Sequence, residues 1–138
     1  MFLFSGLASG KQLALVADKD NTTANVKAAD LASILNGKTK SWSDGKPVKL
    51  ILRDPSSRDM ELVFRRVLNM SPEQVQAFIQ VHPGLIIVAG SDDAVLRFVS
   101  ATRGAIGIID LYSLTKDVNV VKIDGKLPFD AGYLLKGN

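Results

Sequence analysis

A strand, a tight loop and a helix follow one another between Val48 and Leu68, and this succession constrains the fold more than any other stretch. The apolar run Val48–Leu52 is too short for a helix and reads as a buried strand. It stops at Arg53-Asp54-Pro55. Apolar residues then return at the i, i+3, i+4, i+7 spacing of one helical face, at Met60, Val63, Phe64, Val67 and Leu68.

The same alternation of strands and helices extends over most of the chain. Short apolar runs predict further strands at Leu13–Ala17, Leu85–Val88, Ala105–Asp110 and Val118–Ile123. Helical apolar spacing predicts helices that begin near Ala28, Ser71 and Ser91, and a short helix at Leu111–Leu114. We therefore predict an α/β three-layer sandwich, in which helices flank a mostly parallel central sheet.

The loop before the central helix has the outline of an anion site. Ser56 or Ser57 can cap the helix, and Ser56 with Asp59 has the form of a capping box. Such a helix start leaves backbone N–H groups pointing outward at the positive end of the dipole, with Arg53 and Arg58 beside them. A serine that only caps and arginines that are only solvated explain the same residues, so this reading stays a hypothesis.

Ligands of parallel sheets bind beyond the carboxyl ends of the strands, where the strand-to-helix loops meet. We therefore expect the loops Asp18–Thr23, Arg53–Ser57 and Gly90–Asp93 to share one edge of the sheet. In that arrangement Asn21 and Thr22 form a second wall of the anion site.

Composition narrows the classes of function. At 138 residues the chain has the length of one domain, and its 46% hydrophobic and 22% charged residues are typical of a soluble globular protein. The formal net charge is +3, but no block of like charges or interleaved aromatic residues indicates nucleic-acid binding. The one basic neighbourhood, Lys38 to Lys49, has the simplest interpretation as a solvated face. No apolar stretch approaches the roughly 20 residues that span a bilayer.

Neither catalysis nor a cofactor is indicated by the residues. The chain has no cysteine, one histidine (His82, at a predicted helix end) and no G-x-S-x-G elbow. One histidine and scattered acids do not give metal-ligand spacing either. We expect a non-enzymatic protein without a metal or cofactor, in which Trp42 and His82 have structural roles.

The first residues, MFLFSGLASG, pair a short apolar run with small residues. We interpret residues 1–12 as the remnant of a secretory signal or an artificial end, although a basic n-region is lacking. Residues 13–138 form the single predicted domain, and its expected location is periplasmic or secreted.

Several segments in a fixed order resemble one family. They are NVKAADLASILNGKTKSWSDGKPV, the R-x-P-S-S loop before a helix, ATRGAIGIIDLYSL, VVKIDGKLPFD and AGYLL, and they run from about Leu13 to Leu135. This order is similar to that of the phosphate-binding periplasmic proteins of ABC transporters. The resemblance is strongest in the GK-x-x-x-W-x-DG and GAIG-hydrophobic-hydrophobic-D segments.

The resemblance implies one lobe of a two-lobed fold that holds an anion in the cleft between its lobes. The family grips its oxyanion partly with a Ser-Gly-Thr loop, where this chain has Ser56-Ser57-Arg58-Asp59. A serine carries over, whereas the glycine and threonine do not. Asp59 either accepts a hydrogen bond from a protonated phosphate oxygen, which sulfate lacks at neutral pH, or repels the anion.

Two functions follow as hypotheses. The first is a solute-binding module for a small oxyanion, most simply phosphate, in which a transporter or a second copy of the chain is a further partner. The second is a lobe that has lost its ligand and docks to another protein of the cell envelope. An exposed apolar strip where the second lobe would sit favours the second.

Overall fold

The computed structural model describes residues 11–137. In chain order the strands are β1 (Leu13–Asp18), β2 (Asn25–Val26), β3 (Lys49–Leu52), β4 (Ile86–Val88), β5 (Ala105–Asp110), β6 (Val118–Val120) and β7 (Lys122–Ile123). The α-helices are α1 (Ala28–Leu35), α2 (Arg58–Leu68), α3 (Pro72–Val81) and α4 (Asp92–Ala101), and a 3₁₀ helix covers Leu111–Ser113. The interpretation of residues 1–12 as a signal remnant or an artificial end falls mostly on residues 1–10, which lie outside the described residues.

The main sheet has five strands in the order β4-β3-β5-β1-β6. Strand β3 pairs in parallel with both β4 and β5, whereas β1 pairs antiparallel with both β5 and β6. Strand β1 thus runs against the other four strands, and these share one direction. The prediction of an α/β sandwich with a mostly parallel sheet is confirmed.

Each face of the sheet is buried under helices, which explains why the strands are apolar throughout. Along β1, Leu13, Leu15 and Ala17 belong to a cluster with α1, α2 and α3. The alternate residues Ala14 and Val16 belong to a second cluster with α4.

Gly107 permits the close approach of α4 to β5. A Cβ there would lie 2.7 Å from Cγ1 of Val95 and 3.1 Å from the carbonyl oxygen of Ile51.

Residues that favour helix ends lie at the start of α3 and after the end of α1. Ser71 Oγ accepts a hydrogen bond from the Gln74 N–H, and the Gln74 side chain accepts one from the Ser71 N–H, which forms a capping box at the start of α3. At the end of α1, Gly37 has φ of 81°, the left-handed conformation expected after a helix.

The predicted strand Val118–Ile123 is divided in two. Residues 118–120 continue the main sheet beside β1, while β7 pairs in parallel with β2 in a separate two-stranded sheet. The backbone N–H of Val121 still donates to the carbonyl oxygen of Leu15, and the chain changes partner directly after it. Strand β2 is too short for apolar periodicity to reveal it.

Candidate anion site

Helix α2 starts at the carboxyl end of β3, as the strand-loop-helix pattern predicted. Ser57 is its N-cap and accepts a hydrogen bond from the Met60 N–H at 3.3 Å. The Glu61 N–H donates to the carbonyl oxygen of Ser57 at 2.9 Å and begins the helical ladder. The N–H groups of Arg58 and Asp59 precede this first bond, so they have no acceptor inside the helix and point outward.

The predicted capping box of Ser56 with Asp59 is wrong. The backbone N–H and hydroxyl of Ser56 both donate to Oδ1 of Asp54 at 2.8 Å, which closes a tight turn before the helix. These two bonds, the backbone bond first, lower the pKa of Asp54 below its usual value. The Ser56 hydroxyl is engaged by Asp54, so Ser57 is the serine whose hydroxyl lies at the helix start.

Arg53 is held in place by an acidic partner. Its Nη1 lies 3.0 Å from Oδ1 of Asp92, in the first turn of α4. The other carboxylate oxygen of Asp92 accepts hydrogen bonds from the Asp110 N–H at 3.2 Å and from the Ser113 hydroxyl at 2.7 Å. Part of the positive charge of Arg53 is therefore neutralised by Asp92.

Lys11 is a residue of this edge that the sequence reasoning missed. Its Nζ lies 2.9 Å from Oδ2 of Asp59 and 3.2 Å from Oδ2 of Asp110. The hydrogen bond to Asp59 is the largest cause of a raised Lys11 pKa, ahead of an opposing effect of burial. Lys11 precedes the first predicted strand, and its partners are distant in sequence, so no local pattern marks it.

Acidic and basic side chains thus alternate around the start of α2. Arg58 is exposed and is the first residue of the helix. The basic side chains of this edge include Lys11, Arg53 and Arg58, and the acidic ones include Asp54, Asp59, Glu61, Asp92, Asp93 and Asp110. An anion that binds here must displace or share these ion pairs.

Asn21 and Thr22 lie at the opposite edge of the sheet, so the expectation that three loops share one edge is wrong. Strand β1 runs against its neighbours, and its end at Asp18 pairs with the start of β6 at Val118. Asn21 Oδ1 accepts a hydrogen bond from the Thr23 N–H at 2.9 Å, and its buried Nδ2 has no partner among the described residues. The two strand-to-helix loops that do meet are Arg53–Ser57 and Gly90–Asp93, joined by the Arg53–Asp92 pair.

Trp42 and His82 contact other parts of the fold rather than the start of α2. Trp42 packs against the larger core cluster, and its Nε1 donates to the carbonyl oxygen of Gly104 at 2.9 Å. The His82 ring stacks on Phe78 with centroids 4.2 Å apart. Within residues 11–137, no group of three or more His, Cys, Asp or Glu side chains could hold a metal ion, and no helix is long and apolar enough to cross a membrane.

A family model described as a PBP superfamily domain matches residues 10–133. The chain belongs to the PBP superfamily. This PBP domain is similar to an ABC-type phosphate transport receptor from Vibrio cholerae, with 17% identity and a TM-score of 0.78 over 99% of this chain and 61% of the receptor. Comparison with curated proteins gives no match.

Two further solved structures share the fold of this PBP domain. PstS from Borrelia burgdorferi is 23% identical, with a TM-score of 0.77 over 100% of this chain and 62% of that protein. A phosphate binding protein from Stenotrophomonas maltophilia is 19% identical, with a TM-score of 0.69 over 87% of this chain and 41% of that protein. The PBP domain therefore spans less than two thirds of each of these proteins.

Proposed function

We propose that this PBP domain is a solute-binding module for a small oxyanion, with phosphate the first choice, of the type that serves ABC transporters. The observation that carries the proposal is the start of α2, where the N–H groups of Arg58 and Asp59 point outward. Ser57 caps this helix start, Arg58 is the first residue of the helix, and Arg53 stands in the loop before it. Together they offer several charge-assisted donors to one oxyanion.

Weak binding by the isolated domain follows from the surrounding charges. Micromolar affinity needs about 8 kcal/mol. Each charge-assisted hydrogen bond gives roughly 1.5 to 3 kcal/mol before ordering and desolvation costs. Asp59 and Asp92 already engage Lys11 and Arg53. Tight binding therefore requires further donors, which a second copy of the chain or another lobe would supply.

Calorimetric titration with phosphate and with sulfate tests the proposal. Ser57→Ala removes a donor and a helix cap together, so two controls separate these effects. Ser71→Ala removes the equivalent cap of α3 away from the site, and Ser56→Ala removes a hydroxyl that is tied to Asp54. We expect about a tenfold loss of phosphate affinity in Ser57→Ala, as for one donor worth 1.4 kcal/mol, and little change in either control. Equal losses in Ser57→Ala and Ser71→Ala would contradict the proposal.

A periplasmic or secreted location and delivery of the anion to a transporter belong to the same proposal. The support for both is the superfamily and the fold, because the similar structures include a phosphate transport receptor. Fractionation of cells that express the full-length protein, followed by immunodetection, tests the location.

A second candidate function is docking of this edge to another protein, as expected for a lobe that has lost its ligand. Tyr112 favours it, because its side chain is 90% exposed directly after β5, at the same edge as α2. The ion pairs of Lys11 and Arg53 also engage two of the basic side chains that an anion would need. If the domain binds an anion, Tyr112→Ser should leave that binding unchanged. If it docks to an envelope protein, Tyr112→Ser should abolish the docking, and a pull-down from envelope extracts detects this loss.

A further inference from the structure

The open edge of β4 borders a continuous groove. Three adjoining cavities of about 620, 200 and 50 Å³ share Gly84 and Leu85 as lining residues. The largest also contacts Lys38, Lys40 and Phe78, and the smallest follows the strand along Ile86 to Val88 and Pro55. We call this continuous depression, from Lys38 and Lys40 past Leu85 to Val88, the β4 groove.

Strand β4 has backbone groups along this groove that find no partner within residues 11–137. Among these residues it is an outer strand of the main sheet and pairs with β3 alone. The Ala89 N–H donates to the carbonyl oxygen of Leu52 at 2.8 Å. Because peptide groups alternate in direction along a strand, the N–H and C=O groups of Val88 and Ile86 point away from β3, toward the open edge.

The side chains of the groove are apolar at one end and basic at the other. Val88, which lines the smallest cavity, is 57% exposed. Lys38 and Lys40 are exposed at the Leu85 end. None of the described residues that line the three cavities is Asp or Glu. Charge complementarity therefore favours an acidic occupant.

We propose that the β4 groove binds an extended, acidic segment of a partner polypeptide, which adds a strand to the open edge of β4. The outward groups of Ile86 and Val88 supply main-chain hydrogen bonds, and the exposed Val88 side chain supplies an apolar contact. The lysines at the Leu85 end pair with acidic residues of the segment. The groove lies along the side of the sheet and does not require the anion site at the start of α2.

The first test uses fluorescence anisotropy with two labelled peptides and the full chain. One peptide alternates valine and threonine between blocks of three aspartates, and the other carries lysines in place of the aspartates. We expect the acidic peptide to bind at least about tenfold more tightly. Equal binding of both peptides, or no binding of either, would overturn the proposal.

Variants of the chain locate the bound peptide. Val88→Pro removes an outward N–H without removing a bond to β3, and Val88→Thr is its matched control. The double variant Lys38→Glu/Lys40→Glu reverses the basic end, with the exposed pair Lys116→Glu/Lys122→Glu as the charge-matched control. We expect Val88→Pro and the double variant Lys38→Glu/Lys40→Glu each to lower the affinity for the acidic peptide about tenfold. Each control should change this affinity by less than about twofold.

Circular dichroism verifies that each variant is folded, and the lysine variants keep the test valid if Val88→Pro unfolds. Binding that survives the charge reversal overturns the proposal. So does a wild-type dimer that sedimentation detects and Val88→Pro dissociates, because the occupant would then be a second copy.

Discussion

Gly104 joins the two segments that carry most of the family resemblance. Its N–H donates to the buried carboxylate of Asp18 at 3.0 Å, and its carbonyl oxygen accepts from Trp42 Nε1 at 2.9 Å and from the Lys49 N–H at 3.0 Å. It has φ of 86°, and an added Cβ would overlap the carbonyl oxygen of Pro47. Trp42 and Gly104 therefore hold the start of β3 against β5, a structural role at the edge opposite α2.

Gly104→Ala should destabilise the fold by about 3 kcal/mol. The left-handed conformation costs about 1 to 2 kcal/mol for alanine, and the overlap with Pro47 adds 1 kcal/mol or more. Gly45→Ala is the matched control, since Gly45 has φ of 89° but nothing within 4 Å of an added Cβ. Urea unfolding should give a loss of only about 1 kcal/mol for this control. Equal losses would show that the packing against Pro47 contributes nothing.

We expect Asp59 to set the preference of the proposed site between phosphate and sulfate. One of its carboxylate oxygens lies 2.9 Å from Lys11, and the other can accept a hydrogen bond from a protonated phosphate oxygen. Asp59→Asn should abolish the preference for phosphate and strengthen sulfate binding, because a negative charge is removed. Parallel calorimetric titrations measure both affinities. An unchanged preference would mean that Asp59 does not contact the anion.

Among the contacts between elements, the ion pairs of Lys11 link the residues before β1 to the start of α2 and to the end of β5. Its pKa is raised above the ordinary 10.5, so the folded state favours the charged lysine. The stabilisation is fully present below pH 10.5 and is lost as the pH rises through the higher folded pKa. Because the lysine side chain is 48% exposed, about 0.5 kcal/mol is the expected size.

Lys11→Met should therefore reduce the free energy of unfolding by about 0.5 kcal/mol at pH 7, with a smaller difference at pH 11. Urea unfolding of both proteins at pH 7, 9 and 11 measures this difference, and Lys116→Met controls for loss of one exposed charge. A loss that persists undiminished at pH 11 would assign the effect to packing of the lysine stem instead.

At the scale of the whole molecule, local patterns predict the elements but not all of their directions. The apolar spacing of residues 48–68 correctly placed β3 and α2, because both elements bury their own faces. The direction of β1 depends on β5, almost a hundred residues away, and no local signal encodes it. This is why Asn21 and Thr22 were expected beside the anion site but lie at the opposite edge.

The candidate site was predicted in part for the same reason. Ser57 and the strand-to-helix loop follow from local capping chemistry. The ion pairs of Lys11 with Asp59 and of Arg53 with Asp92 join residues that only the folded chain brings together. Sequence reasoning could name the donors but could not tell which carboxylates would compete for them.

The most direct test of the anion site is a titration of the ¹⁵N-labelled domain with phosphate, followed by amide NMR. The largest shift changes should fall on the N–H groups of Arg58 and Asp59, which point outward at the start of α2. Amides of Asn21 and Thr22, at the opposite edge, should stay unchanged. Shifts that cluster at Asn21 and Thr22, or no shifts at saturating phosphate, would contradict an anion site at the start of α2.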